Sequence, residues 1–137
     1  MFRRLIDEFH VRLIAALAAM TTILMACTPV GQIKESDFVW HERTLPIAYQ
    51  HAFRNVRAGF RSCDTEYFEA ALFDDIKKAE FDVWHPTMLG TASPIYWGRI
   101  IITAIDDGHS KVRVGLINDS ESRKNRWHRW ATGDAGC

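Results

Sequence analysis

The chain lacks the patterns that mark most enzymes and nucleic-acid-binding proteins. It has no glycine-rich phosphate loop, and its six histidines do not stand at the spacing of metal ligands. Its 17 basic residues balance 17 acidic residues, so the formal net charge is zero, which argues against a general polyanion-binding role. We therefore expect no metal, no cofactor and no nucleic-acid partner.

Long apolar runs are also scarce. The longest extends from Leu13 to Met25, well short of the ~20 residues of a permanent membrane helix. It follows Arg3 and Arg4, as the apolar region of a signal peptide follows a positively charged start. The alternative is a short buried helix of a globular protein. It is disfavoured because residues 13–20 have no polar face.

The apolar run ends in Leu24-Met25-Ala26-Cys27, which resembles the lipobox of bacterial lipoproteins. The resemblance implies that residues 1–26 are a signal peptide and that Cys27 becomes the first residue. It also implies that Cys27 carries a diacyl lipid and an amine-linked fatty acid such as palmitate, which together hold a protein firmly on a membrane. Thr28 is not the aspartate that retains such proteins in an inner membrane. The resemblance thus favours the periplasmic face of the outer membrane.

The remaining chain is long enough for one domain. We expect a lipidated tether over residues 27–36 and a single globular domain over residues 37–137. The first 26 residues hold three of the 17 basic and two of the 17 acidic residues, so the exported part carries a formal charge of −1. Its cysteines besides Cys27 are Cys63 and Cys137. Because the periplasm is oxidising, we expect them to form a disulfide. The alternatives are two free thiols, or Cys63 as a hydrolase nucleophile beside a histidine.

The pattern of the exported part predicts an α+β domain. We expect an antiparallel sheet of four to five strands, with one helix packed on a face and a short C-terminal helix. The strand signals cover residues 37–44, 66–73, 79–84, 95–105 and 111–117. A mostly β sandwich with one helix is the alternative architecture.

Two helices are predicted from spacing and from end signals. The first should run from about Pro46 to Arg61, with Tyr49, Phe53, Val56 and Phe60 on its buried face. The second should be capped by Ser120 or Ser122 and should end at Gly133.

Basic and aromatic residues alternate near the C-terminus. They are Arg123, Arg126, Trp127, Arg129 and Trp130, and they form a candidate interaction surface for lipid headgroups or an anionic envelope polymer. The simpler interpretation is that the tryptophans pack on the sheet while the charges face water, and we favour it. A second polar cluster, Asp106, Asp107 and His109, suits a hairpin turn better than a catalytic site.

The overall layout resembles small proteobacterial lipoproteins that have no assigned activity. The residues that carry this resemblance are Cys27, the helix that ends at Cys63, and the tail from Trp130 to Cys137. The resemblance implies a membrane-anchored, non-catalytic protein that binds an envelope protein or polymer. The alternative is an envelope hydrolase with an unrecognised active site. A deep polar pocket would favour the enzyme, and an exposed apolar patch would favour the binding protein.

Overall fold

The computed structural model describes residues 33–63, 66–85 and 94–137. The predicted signal peptide, Cys27 and most of the predicted tether lie outside these residues. The fold below is that of the unit Lys34–Cys137. Its elements, in chain order, are a short 3-10 turn Glu35–Asp37, β1 Val39–Leu45, α1 Tyr49–Cys63, β2 Tyr67–Phe73, β3 Lys78–His85, β4 Ile95–Ala104, β5 Ser110–Leu116 and α2 Glu121–Thr132.

The five strands form one antiparallel sheet in the order β1-β5-β4-β3-β2. The predicted α+β class is therefore confirmed. β3, β4 and β5 are central strands, and they alternate or run apolar as the sequence indicated. β1 and β2 are the edge strands. Because the hairpins β2–β3 and β4–β5 have short turns, their strands must pair antiparallel.

One face of the sheet holds the hydrophobic core. Eight core-facing residues of the three central strands are buried: Ala79, Phe81, Val83, Ile100, Ile102, Val112, Val114 and Leu116. Both helices pack on this face, since buried residues of each belong to the same core cluster. Phe60 of α1 lies at the junction of the two helices and the sheet. Its ring centroid is 4.8 Å from that of Phe68 and 4.9 Å from that of Trp130.

The two helices approach each other closely at Gly59. A Cβ atom at this position would overlap the indole of Trp130. Glycine at this position lowers the helix propensity of α1 but allows α1 and α2 to approach closely.

α1 begins three residues later than predicted. Leu45 still pairs with Ser110 as the last residue of β1, so Pro46 belongs to the bend that follows the strand. The first helical hydrogen bonds run from the amides of His51 and Ala52 to the carbonyl of Ala48. Of the four residues expected to be buried, Tyr49, Val56 and Phe60 are buried. Phe53 is only partly buried. It lies at the margin of the core, where its ring packs against Phe81.

α2 has both predicted end signals. The side chain of Ser120 accepts a hydrogen bond from the amide of Arg123, which identifies Ser120 rather than Ser122 as the N-cap. Gly133 takes a left-handed conformation, and its amide donates to the carbonyls of Arg129 and Trp130. These caps fix the start and the end of α2, and therefore which of its side chains face the sheet.

Candidate interaction surfaces

Cys63 and Cys137 lie at disulfide distance, as the sequence predicted. Their Cα atoms are 5.4 Å apart, and 74 residues separate them along the chain. The bond joins the last residue to the end of α1. A bonded Cys63 is not a thiolate, and this removes the basis for treating it as a hydrolase nucleophile.

The two tryptophans of the candidate surface on α2 are not at the surface. Trp127 and Trp130 are both 0% exposed and belong to the hydrophobic core. Trp127 packs near Phe60, and Trp130 lies over Gly59. The prediction that these indoles contribute to an interaction surface is therefore wrong. The favoured simpler interpretation, in which they pack inward, agrees with the structure.

Arg123 and Arg126 form ion pairs with a buried carboxylate. Glu66 has a side chain that is 4% exposed, and its Oε1 accepts from Arg123 Nε and from Arg126 Nη2, both at 2.9 Å. Its Oε2 accepts from the indole of Trp127 at 3.2 Å. Arg123 also lies 4.1 Å above the ring of Trp97. These cations therefore hold α2 to the start of β2, and sequence spacing gave no sign of Glu66 as their partner.

Of the five residues predicted as an interaction surface, Arg129 alone is exposed. It lies 3.7 Å from the carboxylate of Asp134, and both side chains are more than half exposed. An exposed pair at this distance contributes about 0–1 kcal/mol. The predicted surface thus reduces to one loosely paired arginine.

A different basic surface lies on α1. Arg54, Arg57 and Arg61 are exposed and follow one another at three- and four-residue spacing, so they share one side of the helix. Among the described residues, none of the three has a carboxylate within ion-pair distance. We call these residues the arginine stripe.

Charge is strongly segregated within the domain. The two helices contain seven basic residues, Arg54, Arg57, Arg61, Arg123, Lys124, Arg126 and Arg129, and a single acidic residue, Glu121. Residues 27–137 contain fourteen further acidic residues, and none of these belongs to either helix. The nearly neutral net charge therefore conceals a positive helical layer, and the argument from composition against an anionic partner does not apply to that layer.

The opposite face of the sheet has no covering layer among the described residues, and charged side chains pair across its strands. Arg113 Nε is 2.9 Å from Glu42 Oε1, and its guanidinium lies 4.4 Å above the ring of Trp40. Asp82 accepts from Arg99 Nε at 2.6 Å and from the hydroxyl of Tyr96. Burial and the bond to Asp82 raise the pKa of that hydroxyl above its ordinary range. These charged side chains on the opposite face are thus paired with one another.

A β-bulge at the start of β4 turns two aromatic rings to opposite sides. The register shifts between Val83 and Trp84, so Trp84 pairs with Tyr96 and Val83 with Gly98. The extra residue, Trp97, packs against the helical core, while Tyr96 bonds to Asp82 on the other face. The bulge thus supplies the ring on which Arg123 stacks.

The edge strand β2 is the most exposed apolar element among the described residues. Six of its seven residues are exposed, Phe68 being the exception, and Tyr67 is 59% exposed. A cavity of about 260 Å³ opens beside it, lined by Glu69, Ala70, Ala71, Glu80 and Asp82. The strand pairs with β3 on one side only. Its other side therefore presents free backbone groups.

A polar cavity of about 330 Å³ lies where α1 meets the two hairpin turns. Its lining includes Tyr49, Asp74, Lys77, Asp106 and Asp107. Tyr49 donates to Asp74 at 2.8 Å, which raises the pKa of the tyrosine hydroxyl. Asp106 accepts from the amides of Gly108 and His109, both at 2.7 Å, and from the His109 ring at 2.9 Å. These bonds, that to His109 first, lower the pKa of Asp106. They are the bonds of a turn, as the sequence predicted.

His128 is a buried polar residue on the inner side of α2. It is 1% exposed, and neither ring nitrogen has a hydrogen-bond partner among the described residues. Burial lowers its pKa to about 4, and the nearby charges of Arg43, His41 and Lys124 act in the same direction. The ring is therefore neutral at pH 7. His41 itself lies 2.7 Å from Asp119.

Neither described helix is long and apolar enough to cross a membrane. Within the described ranges, no cluster of three or more His, Cys, Asp or Glu side chains is placed to hold a metal ion. A scan against protein-family models gives no match, and a comparison with curated proteins gives none either.

Proposed function

We propose that this protein is a non-catalytic lipoprotein of the cell envelope, anchored by lipid on Cys27, that binds an extended segment of an envelope protein along β2. The proposal of a lipid anchor is based on the lipobox motif that ends at Cys27. The binding role rests on one observation above all: among the described residues, β2 is an apolar edge strand without a partner on its outer side.

The composition of β2 distinguishes it from a protected edge. Natural sheets commonly shield edges with lysine, proline, bulges or very short strands. β2 is seven residues long, carries Glu69 as its single charge, and has a regular register with β3. The other edge strand, β1, carries Glu42 and Arg43 in its middle. β2 is thus the edge better suited to accept another strand.

The surroundings of β2 also favour an extended peptide. Backbone pairing supplies affinity in strand addition, and pockets for alternate side chains supply selectivity. Ala70 and Ala71 are small, and the adjoining cavity of about 260 Å³ leaves room for a side chain of the partner. The carboxylates of Glu69, Glu80 and Asp82 line that cavity. Asp82 pairs with Arg99, and Glu80 pairs with Lys78. Glu69 is therefore the carboxylate that a basic side chain of the incoming segment would complement.

The alternative of an envelope hydrolase has less support. The polar cavity beside Tyr49 contains carboxylates, but Asp106 and Asp74 bond to the turns and to Tyr49. Cys63 lies at disulfide distance from Cys137. The carboxylates of Asp74 and Asp106 and the sulfur of Cys63 thus already have structural partners, which favours the binding role.

A site-specific cross-link tests the proposal. A photoreactive phenylalanine analogue replaces Tyr67 in the outward edge of β2, and the matched control carries it at Thr44, an exposed residue of the other edge strand. Irradiation of whole cells should give one discrete adduct from position 67 and none from position 44. The adduct should disappear when Ala70→Lys adds a charge to the edge.

The adduct's identity decides the outcome. A single envelope protein cross-linked through an extended segment supports the proposal. An adduct of twice the chain mass would show that β2 pairs with a second copy instead. A smear of unrelated proteins, or an adduct that Ala70→Lys leaves unchanged, would contradict binding along β2.

A further inference from the structure

We infer that the arginine stripe on α1 binds the headgroups of anionic phospholipids in the membrane that holds the anchor. The inference rests on the proposed function for the position of the domain beside a membrane. It assigns a second surface, distinct from β2, and a lipid class to that surface.

Among the described residues, the stripe differs from most basic residues of helix α2 in having no neutralising partner. Arg123 and Arg126 bond to Glu66, and Lys124 bonds to Glu121. Arg54, Arg57 and Arg61 are exposed with no described carboxylate in range, and the whole helix Tyr49–Cys63 contains no acidic residue. Three exposed, uncompensated guanidinium groups on one side of a helix are complementary to an anionic surface.

The chemistry of the stripe favours phosphate. A guanidinium group presents a planar fork of donors that binds phosphate oxygens in pairs. At 1.5 Å rise per residue, Arg54 and Arg61 lie roughly 10 Å apart along the axis of α1. A helix lying flat can therefore place all three side chains on neighbouring headgroups at the same time.

The distribution of charge orients the domain toward such a surface. The helical layer is positive, while fourteen of the fifteen carboxylates of the exported part lie outside the helices. An anionic bilayer attracts the first and repels the second. With α1 toward the lipid, the opposite face of the sheet points away from the membrane.

The anchor makes a bilayer a better partner than a soluble polyanion. Only seven residues follow Cys27 up to Lys34, and such a segment spans at most about 25 Å when extended. The domain is therefore held at high effective concentration next to the headgroups. Basic residues near a membrane contribute about 1 kcal/mol each, so three should shift the docking equilibrium roughly a hundredfold toward the bound orientation.

Arginine footprinting on the full lipidated chain tests this inference. The protein is reconstituted into phosphatidylcholine vesicles with or without phosphatidylglycerol, treated with an arginine-specific dicarbonyl reagent, and mapped by mass spectrometry. Phosphatidylglycerol should slow modification of Arg54, Arg57 and Arg61 severalfold, and added salt should reverse the effect. Arg113, on the opposite face of the sheet, serves as an internal reference for modification away from the lipid.

A charge-matched pair of variants gives a second measurement. R54Q/R57Q/R61Q removes three charges from α1, and K77Q/K78Q/K111Q removes three charges from turns and strands. With each chain inserted by its own anchor, domain docking is followed by energy transfer from its tryptophans to a headgroup acceptor. The first variant should lose the increase that phosphatidylglycerol causes, and the second should keep it.

Equal modification rates in both vesicle types would overturn the inference, as would equal docking of the two variants. Protection by soluble polyphosphate but not by vesicles would assign the stripe to a free polyanion and overturn the lipid assignment. A Cys27→Ala chain held by its uncleaved apolar segment separates the two proposals. If phosphatidylglycerol still slows modification of the arginine stripe in that chain, the stripe binds lipid headgroups whether or not Cys27 carries lipid.

Discussion

Replacement of His128 should remove most of the acid sensitivity of the fold between pH 6.5 and pH 4. The ring is buried, has no described hydrogen-bond partner, and faces the charges of Arg43, His41 and Lys124. Its folded-state pKa of about 4 lies below the roughly 6.5 of an unfolded histidine. Between these two values the unfolded chain binds the proton more readily than the folded chain, so stability falls as the pH falls.

The size of the effect follows from the two pKa values. A difference of about 2.5 units at 1.36 kcal/mol per unit corresponds to about 3 kcal/mol. The full contribution of neutral His128 is present above pH 6.5. It decreases as the pH drops and is lost below pH 4. For a domain of this size, that amount is a large part of the total free energy of unfolding.

The assay is urea unfolding of wild type and His128→Leu at several pH values from 7 to 4.5, with the disulfide intact. Leucine has a side chain of similar bulk, but this side chain does not bind a proton. The wild-type free energy of unfolding should fall more steeply as the pH decreases. Relative to its value at pH 7, it should fall by about 3 kcal/mol more than that of His128→Leu as the pH approaches 4. Parallel pH curves for the two proteins would refute the assignment of acid sensitivity to His128.

Three further changes test the packing account. Glu66→Ala should lower the free energy of unfolding in urea by about 3 kcal/mol, because Arg123 and Arg126 lose their carboxylate partner. A decrease below about 1 kcal/mol would contradict a structural role for Glu66. Phe60→Ala should cost about 3–5 kcal/mol and more than Phe53→Ala, since Phe60 is buried and Phe53 only partly so; equal losses would be inconsistent with the observed burial. Reduction of Cys63–Cys137 should lower stability by about 4 kcal/mol for a loop of this length, and an unchanged melting temperature would argue against the bond.

The elements that local patterns determine could be predicted from the sequence. The isoleucines of β4, the Asp-Gly turn before β5, and the Ser120 and Gly133 caps each act over a few residues, and each lies where the pattern placed it. The pairing of Cys63 with Cys137 was predicted from the scarcity of cysteine. The antiparallel α+β class was predicted from short connections and apolar alternation, whereas the order β1-β5-β4-β3-β2, which places β1 beside β5, was not.

The features that depend on distant parts of the chain could not be predicted. The bonds of Glu66 to Arg123 and Arg126 cross about sixty residues, and no spacing indicates them. The bulge that turns Trp97 inward depends on the register with β3. The start of α1 was misplaced because pairing of Leu45 with Ser110 extends β1 up to Pro46.

The candidate surface was the least predictable feature. Basic and aromatic residues alternate in α2, and the sequence alone does not say that the tryptophans face the core while Glu66 takes the cations. The lack of ion-pair partners for the arginine stripe of α1 became evident only when the carboxylates of the described residues were in place. A net charge near zero also concealed the separation of charge between the helices and the sheet.

The intact mass of the protein extracted from membranes shows whether Cys27 carries lipid. We predict a chain that begins at Cys27, with added mass for a diacyl lipid and an amine-linked fatty acid. We also predict that a Cys27→Ala chain keeps residues 1–26 and incorporates no labelled fatty acid. A mature chain without lipid, or unchanged fatty-acid labelling in Cys27→Ala, would contradict the claim that this protein is a lipid-anchored component of the cell envelope.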